Sequence, residues 1–264
     1  MAPDKPSIRV AVLVCGAPAP VVAEKYGEYP FMFKNLLQLG LDHLKEQNAI
    51  DKDTVLISEG FDVRDSDSGP VYPKNPYDWD AILITGSAAD VFDDIPWIKQ
   101  LVKYVKELST DNKAPKVVGI CFGHQVIGKA FNLDVGRHDQ GWELGWSKTD
   151  LTKAGQEFWQ DTHMRIQQLH RDAVFGVPEG FTLLASTAHT ENQSMISNDR
   201  RIVSVQGHPE FTGDIVKKII EVRTVDGIFS KELSEASMKL VDEPLDRVKI
   251  ASRIVQFIQE ERPL

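Results

Sequence analysis

The feature that most constrains this chain is the segment over residues 116–131, Lys-Val-Val-Gly-Ile-Cys-Phe-Gly-His-Gln-Val-Ile-Gly-Lys-Ala-Phe. Its apolar start is typical of a buried strand, and the apolar residues after Phe122 recur at the spacing of a helix with one buried face. Cys121 stands at the corner between them, with Gly119 and Gly123 on either side. Small neighbours relieve the crowding of such a turn and let the cysteine side chain project from the backbone. The segment therefore predicts a nucleophile elbow of the form G-x-C-x-G, whose helix N-terminus favours thiolate over thiol.

Composition excludes several classes of protein. The chain has 264 residues, 42% of them hydrophobic, which is enough for a sizeable core. Its 39 acidic and 30 basic residues give a net charge of −9, which argues against a nucleic-acid partner. No apolar run is long enough to span a membrane, and none follows the N-terminus as in a secretion signal. Two cysteines are too few for a disulfide framework, so we expect a soluble cytoplasmic protein with free thiols.

Strand and helix patterns alternate before the elbow. Strands are predicted over residues 8–14, 54–58 and 79–85, and helices over residues 29–44 and 94–108. This alternation is typical of a doubly wound α/β fold, so we predict a flavodoxin-like, mostly parallel sheet flanked by helices. Residues 62–78 are rich in Pro, Gly, Ser and Asp and predict a loop; their carboxylates lack the spacing of metal ligands.

The pattern changes after the elbow helix. Short strand patterns predict a smaller antiparallel portion, over residues 165–170, 182–186, 194–197 and 202–206. Helices are then predicted from residue 213 to 225 and from 245 to 261. No linker divides the chain, so we expect residues 1–264 to form a single domain. Its catalytic core would span about residues 8–212, and a helical extension about residues 213–264.

A cysteine nucleophile needs a base and a group that orients the base. His208 is the best candidate base, because it follows a buried strand pattern and precedes Pro209, which favours an extended backbone at residue 208. Glu210 then lies two residues on and can face the same side as His208. By contrast, His124 is interpreted as a packing or supporting residue, and Cys15 as a small buried apolar one.

The reaction also needs backbone N–H groups that stabilise an oxyanion. One is expected from Phe122, the first residue of the elbow helix. The other is expected from Gly86 and Ser87, at the end of the neighbouring strand, where glycine allows the required peptide orientation. No Cys, His or carboxylate set has metal-ligand spacing, and no Walker or Rossmann motif occurs, so neither a metal nor another cofactor is expected.

Residues 119–125 and 207–210 together closely resemble the class I (triad-type) glutamine amidotransferase domain, over roughly residues 8–212. Within that family the chain is most similar to stand-alone members related to the amidotransferase half of GMP synthase, including γ-glutamyl peptidases. The resemblance implies that Cys121 is the nucleophile, His208 the general base and acid, and Glu210 its orienting partner. It further implies a substrate pocket lined by Gln125, Gly141, Trp142 and His170.

The resemblance implies a cofactor-free hydrolase of γ-glutamyl amide bonds, acting on glutamine or on a glutathione-like peptide. Two alternatives remain: a glutaminase subunit that delivers ammonia to a separate synthetase, and a non-catalytic binding or regulatory protein. Synthetase-linked glutaminases usually carry Gly-Gly-Pro or Asn-Gly-Pro-Gly where this chain has Thr85-Gly-Ser-Ala88. No synthetase domain follows Glu210 in the sequence. Because no synthetase domain follows, we favour the peptidase.

Overall fold

The computed structural model of the protein describes residues 5–64, 69 and 71–261; residues 65–68 and 70 of the predicted loop lie outside this part, as do residues 1–4 and 262–264. The strands are β1 (Ser7–Val14), β2 (Val55–Asp62), β3 (Ala81–Ile84), β4 (Lys116–Ile120), β5 (Asp134–Arg137), β6 (Glu143–Leu151), β7 (His163–His170), β8 (Asp172–Phe175), β9 (Phe181–Ser186), β10 (Ser194–Ser197) and β11 (Ile202–Val205). The helices are α1 (Pro20–Tyr26), α2 (Tyr29–Glu46), α3 (Pro96–Thr110), α4 (Phe122–Ala130), α5 (Lys153–Trp159), α6 (Gly213–Val225), α7 (Lys231–Met238) and α8 (Arg247–Gln259).

The main sheet has the strand order β2-β1-β3-β4-β11-β10-β9-β6-β7. Its first five strands run parallel, and the other four extend it by antiparallel pairing. Strands β5 and β8 form a separate antiparallel pair. This arrangement confirms the predicted flavodoxin-like fold, with a mostly parallel sheet and a smaller antiparallel portion.

Helices cover both faces of the parallel strands. Along β1, Val10 and Val12 belong to the core shared with α2 and α8, whereas Ala11 and Leu13 belong to the core shared with α3 and α4. Successive strand residues point to opposite faces, so a continuous apolar run supplies both cores. Burying each larger aliphatic side chain contributes roughly 1.5–3 kcal/mol. The apolar runs that predicted the strands therefore also hold the helices in place.

The last helix, α8, packs tightly on α2. A Cβ atom on Gly40 would lie only 2.4 Å from the carbonyl carbon of Ala251, so the two backbones approach as closely as glycine allows. The helix begins and ends within two residues of the predicted bounds. This packing attaches the end of the chain to the sheet. Within the described part of the chain, no helix has both the length and the apolar composition for crossing a bilayer.

Several local features differ from the sequence-based predictions, among them the unpredicted helices α1, α5 and α7 and strands β5, β6 and β8. Strand β2 continues to Asp62 instead of ending at residue 58, because pairing with β1 persists as far as Val14. Glu59 and Gly60 are poor strand formers, so this pairing overrides local propensity. Helix α5 was not predicted; it begins after Thr152, whose side chain caps the first turn, and its short apolar pattern gives little periodic signal.

Candidate active site

Cys121 occupies the sharp turn between β4 and α4. Its backbone has φ 53° and ψ −102°, a conformation that residues with a Cβ atom rarely adopt. The glycines beside it have no room for side chains. A Cβ on Gly119 would lie 2.5 Å from Cδ1 of Ile127, and one on Gly123 would lie 2.5 Å from the carbonyl oxygen of Ile84. The chain therefore has the elbow geometry that the sequence predicts, and it holds Cys121 in a strained conformation.

The three predicted oxyanion residues lie around Cys121. Phe122 begins α4, so its N–H group has no acceptor within the helix, and the helix dipole places positive charge at this end. On the other side, a Cβ built on Gly86 would lie 3.8 Å from Cβ of Cys121 and 3.1 Å from Cε1 of His208. Ser87 follows and lines the same cavity. The structure brings these groups together, and their role in holding an oxyanion stays a prediction.

The turn after β11 carries the predicted base and its partner. Nδ1 of His208 lies 2.7 Å from Oε1 of Glu210, and the two side chains are 4% and 0% exposed. The backbone N–H of His208 donates to the carbonyl of Gln167 at 2.8 Å, which ties the turn to β7. The ring of Phe211 lies parallel to the imidazole, with 4.2 Å between the ring centroids. A carboxylate and an aromatic face therefore fix the orientation of the histidine.

The surroundings of His208 favour its protonated form. Burial alone lowers the pKa of a histidine, but the charges of Cys121 and Glu210 and hydrogen bonds to both raise the pKa of His208 to about 10. An imidazolium beside the sulfur is the state in which the thiol proton has already moved to the base. The geometry and the charges thus suit an activated cysteine.

Arg247 holds the same turn from α8, a contact that the sequence does not predict. Its Nε donates to the carbonyl of Pro209 at 3.0 Å, and its Nη2 donates to the carbonyl of Glu210 at 3.3 Å. Burial lowers the pKa of Arg247, and the charge of Glu210 opposes that effect. Hydrogen bonds from a guanidinium are stronger than neutral ones, so this contact stabilises the backbone that presents the base. No local pattern around residue 247 signals this role.

These groups open onto a cavity of about 730 Å³, lined among others by Tyr29, Ser87, Cys121, Gln125, Trp142 and His208. A cavity of this size accommodates a small organic ligand. Tyr29 was predicted only as the start of a helix, yet its hydroxyl would lie 3.8 Å from a Cβ built on Gly86. Burial, with smaller effects from Glu210 and Cys121, raises the pKa of Tyr29, so the phenol stays protonated at the cavity wall.

Two of the predicted substrate-binding residues already have protein partners. Nε2 of Gln125 donates to the carbonyl of Asp172 at 3.2 Å and to Oε1 of Gln206 at 3.3 Å. Both ring nitrogens of His170 are engaged, Nδ1 with the carbonyl of Asp172 and Nε2 with Glu143, each at 3.0 Å. Both residues line the cavity. Direct contact with substrate stays a prediction for each.

The loop before β6 brings one more predicted residue to the cavity. Gly141 adopts φ 81° in a turn, and its N–H donates to the carbonyl of His138 at 2.9 Å. This turn places Trp142 in the cavity wall, whereas Gly141 is not among the residues that line it in the described part of the chain. The predicted role of Gly141 would therefore act through the position of Trp142.

Cys15 and His124 occupy structural positions. Burial raises the pKa of Cys15 to about 12, even though hydrogen bonds with Thr85 oppose the shift, so its thiol stays protonated. Burial lowers the pKa of His124 to about 3, and its ring bonds Ser204 and the carbonyl of Asn192. Within residues 5–64, 69 and 71–261, no three His, Cys, Asp or Glu side chains are grouped as a metal site would require.

Comparisons with known proteins agree with this architecture. The sequence profile of the glutamine amidotransferase class-I family matches residues 72–221. A putative glutamine amidotransferase-like protein of Schizosaccharomyces pombe is 33% identical over 252 residues, covering 95% of this chain and 98% of that protein. Gamma-glutamyl peptidase 4 of Arabidopsis thaliana is 33% identical over 193 residues, covering 70% of this chain and 75% of the peptidase. The crystal structure of a glutamine amidotransferase from Thermotoga maritima superposes with a TM-score of 0.67 at 17% identity, covering 96% and 99% of the two chains, and so shares the fold.

Proposed function

This chain belongs to the class I glutamine amidotransferase family, and from that premise we propose that it hydrolyses γ-glutamyl amide bonds with Cys121 as nucleophile. The observation that carries the proposal is the contact of the buried His208 and Glu210 pair with the elbow cysteine, at the base of a cavity of about 730 Å³. A binding role alone does not require a strained cysteine, a paired base and free N–H groups at one point.

The proposed reaction begins from the pair of Cys121 thiolate and His208 imidazolium, which forms when the thiol proton moves to His208. The thiolate attacks the γ-carbonyl carbon, and the N–H groups of Phe122 and Ser87 donate hydrogen bonds to the oxyanion that forms. The imidazolium gives its proton to the amide nitrogen, so the C–N bond breaks and an amine leaves. Water then attacks the γ-glutamyl thioester, with its proton passing to His208, and releases glutamate and the thiol. Every group in this scheme comes from the chain, so no cofactor is needed.

We favour a peptide or amino acid as the leaving group. Relatives in Arabidopsis thaliana are named gamma-glutamyl peptidases, and the cavity has more room than an ammonia molecule requires. A glutaminase subunit that supplies ammonia to a separate synthetase would use the same reacting groups. We also propose that residues 1–264 act as one unit, because Arg247 of α8 holds the turn that carries His208.

The test is turnover by the purified protein, measured by mass spectrometry with glutamine and glutathione offered side by side. We expect free cysteinyl-glycine with little ammonia, and a loss of about 10³-fold or more in the Cys121→Ala variant. The matched control is Cys15→Ala, which removes the other thiol and should retain the activity. Ammonia from glutamine alone would instead identify a glutaminase subunit. Absence of any Cys121-dependent product would point to a non-catalytic protein.

A further inference from the structure

Two guanidinium groups lie beside one tryptophan in the cavity wall. Cζ of Arg171 is 5.3 Å and Cζ of Arg223 is 5.8 Å from the ring centroid of Trp142. The indole packs edge-on against Phe229, with 5.1 Å between centroids, which fixes the position of the ring. Arg171, Trp142 and Arg223 all line the cavity that contains Cys121. They form a flat aromatic surface with positive charge beside it.

Neither of these two arginines forms an ion pair with a carboxylate in the described part of the chain. The Nε of Arg171 is buried and has no hydrogen-bond acceptor. Asp226 also lines the cavity, but it is exposed and makes no ion pair within the described residues. Guanidinium groups bind carboxylates through paired N–H donors, so two cavity-lining arginines without ion pairs in the described part of the chain suit an anionic ligand.

A third arginine of the cavity already has carboxylate partners within the protein. Arg137 pairs with both Asp90 and Asp172 and lies over Phe92, in the segment that follows β3. This cluster presents charges of both signs, which suits the α-ammonium and α-carboxylate groups of a γ-glutamyl residue. Arg171 and Arg223 lie elsewhere in the cavity wall. Both contact Trp142, and Arg223, on α6, also contacts Phe229 in the loop after that helix. The mixed-charge cluster around Arg137 and the cationic surface around Trp142 are therefore suited to different parts of one substrate.

We propose that Arg171 and Arg223 bind a carboxylate on the leaving group, so that the preferred substrates are γ-glutamyl peptides with a free C-terminal carboxylate. This inference rests on the proposed γ-glutamyl hydrolysis and names its substrate class. A leaving dipeptide spans roughly 7 Å when extended, which carries its terminal carboxylate away from the reacting bond. Arg223 lies just beyond the residues matched by the family profile, 72–221, whereas Arg171 lies within them.

The test compares γ-glutamyl-alanyl-glycine with its C-terminal amide, two thiol-free peptides that differ only in the proposed contact. We expect kcat/KM of the wild-type protein to favour the free acid about 10-fold, mainly through KM. Arg223→Gln and Arg171→Gln should abolish this preference, and Arg223→Lys should retain part of it because a lysine keeps the charge but not the paired donors. The matched control is Arg9→Gln, since Arg9 lies 5.4 Å from the ring centroid of Trp79 and outside the cavity wall.

Equilibrium binding separates this inference from the proposed function. The Cys121→Ala protein, which cannot turn over substrate in the proposed scheme, is titrated calorimetrically with the acid and the amide. About 10-fold tighter binding of the acid, lost on adding Arg223→Gln, supports the carboxylate site. Equal affinity for the two peptides, or no binding of either, overturns it. Failure of the proposed hydrolysis appears separately, as wild-type protein without Cys121-dependent turnover.

Discussion

The elbow around Cys121 and the helices that follow Thr212 meet at the same cavity, but their contributions are encoded in different ways. The elbow is continuous in sequence: two glycines, a cysteine and a helix start lie within residues 119–123. The later helices contribute single side chains, Arg223 from α6 and Arg247 from α8, that reach the cavity or its base across the fold. Neither arginine belongs to a recognisable local motif.

This difference reflects what each region must do. A nucleophile at a helix start depends on backbone angles within a few residues, and glycine is needed where two backbones nearly touch. Holding a turn or binding a distant carboxylate depends on a long cationic side chain that reaches the correct point in the folded protein. The elbow therefore has a recognisable local sequence motif, whereas an arginine contact of this kind can be made from many different local sequences.

The largest effect is expected from the chemistry at the elbow. Replacing His208 with Gln removes the proposed base and should lower kcat about 10³-fold, measured with the preferred γ-glutamyl substrate. His43→Gln is the matched control, since His43 lies on α2 and outside the cavity wall. A His208→Gln protein within tenfold of wild type would remove His208 from the proposed reaction.

A smaller loss of activity is expected when His208 is kept but the carboxylate of Glu210 is removed. Glu210→Gln should lower kcat/KM about 10²-fold, since the ring is less well oriented and the imidazolium less stabilised. Because Glu210 helps to raise the pKa of His208, the alkaline limb of the pH–rate profile should move to lower pH in the variant. An unchanged alkaline limb would mean that another group controls it.

The same pKa shift links protonation to folding. The raised pKa of His208 contributes stability that is fully present below about pH 6.5, the ordinary histidine value, and is lost as the pH rises through about 10. Denaturant unfolding of the wild-type and Glu210→Gln proteins at a series of pH values measures this contribution. The difference between their free energies of unfolding should shrink towards high pH.

A still smaller loss of activity is expected from a substitution in the last helix, α8. Arg247→Met removes the donors to the carbonyls of Pro209 and Glu210 and should lower kcat about 10-fold with little change in KM, because the base is less well held. Arg247→Lys should recover part of the rate. Lys249→Met is the matched control on the same helix, since the exposed Lys249 contacts only carboxylates outside the turn. Equal kcat values for Arg247→Met and the wild-type protein would show that the contact of Arg247 with the turn does not affect the reaction.

The smallest effect on the reaction rate is expected where α8 packs on α2, and there we predict a change in stability instead. Alanine normally favours a helix over glycine by about 1 kcal/mol, but at residue 40 its Cβ would lie 2.4 Å from Ala251. Overpacking of this kind costs about 1–3 kcal/mol, so Gly40→Ala should lower the free energy of unfolding. Denaturant unfolding measures the change, and Lys34→Ala on the exposed face of α2 is the control. A more stable Gly40→Ala protein would show that the two helices separate easily.

The sequence was most informative where one segment determines its own geometry. The strand patterns, the elbow and the closing helices were predicted near their observed positions, because apolar periodicity and paired glycines report directly on backbone structure. The pairing of His208 with Glu210 followed from the extended backbone before Pro209. Arg247 and Arg223 could not be predicted, because their contacts join residues far apart in sequence. The length of β2 was also missed, since its last residues are ordered by β1 and not by their own propensities.

The parallel stacking of Phe211 on His208 restricts how the imidazole can move. Turning the ring by 180° about its Cβ–Cγ bond would sweep it through a plane occupied by the phenyl group, whose centroid is only 4.2 Å away. The stacking therefore opposes a ring flip that would put Cδ2 in the place of Nδ1 and Cε1 in the place of Nε2. Since Nδ1 is bonded to Glu210, the proposed reaction would place the proton received from the thiol on Nε2 and return it from that same atom. In that scheme, one nitrogen of the ring would carry the proton through both halves of the reaction.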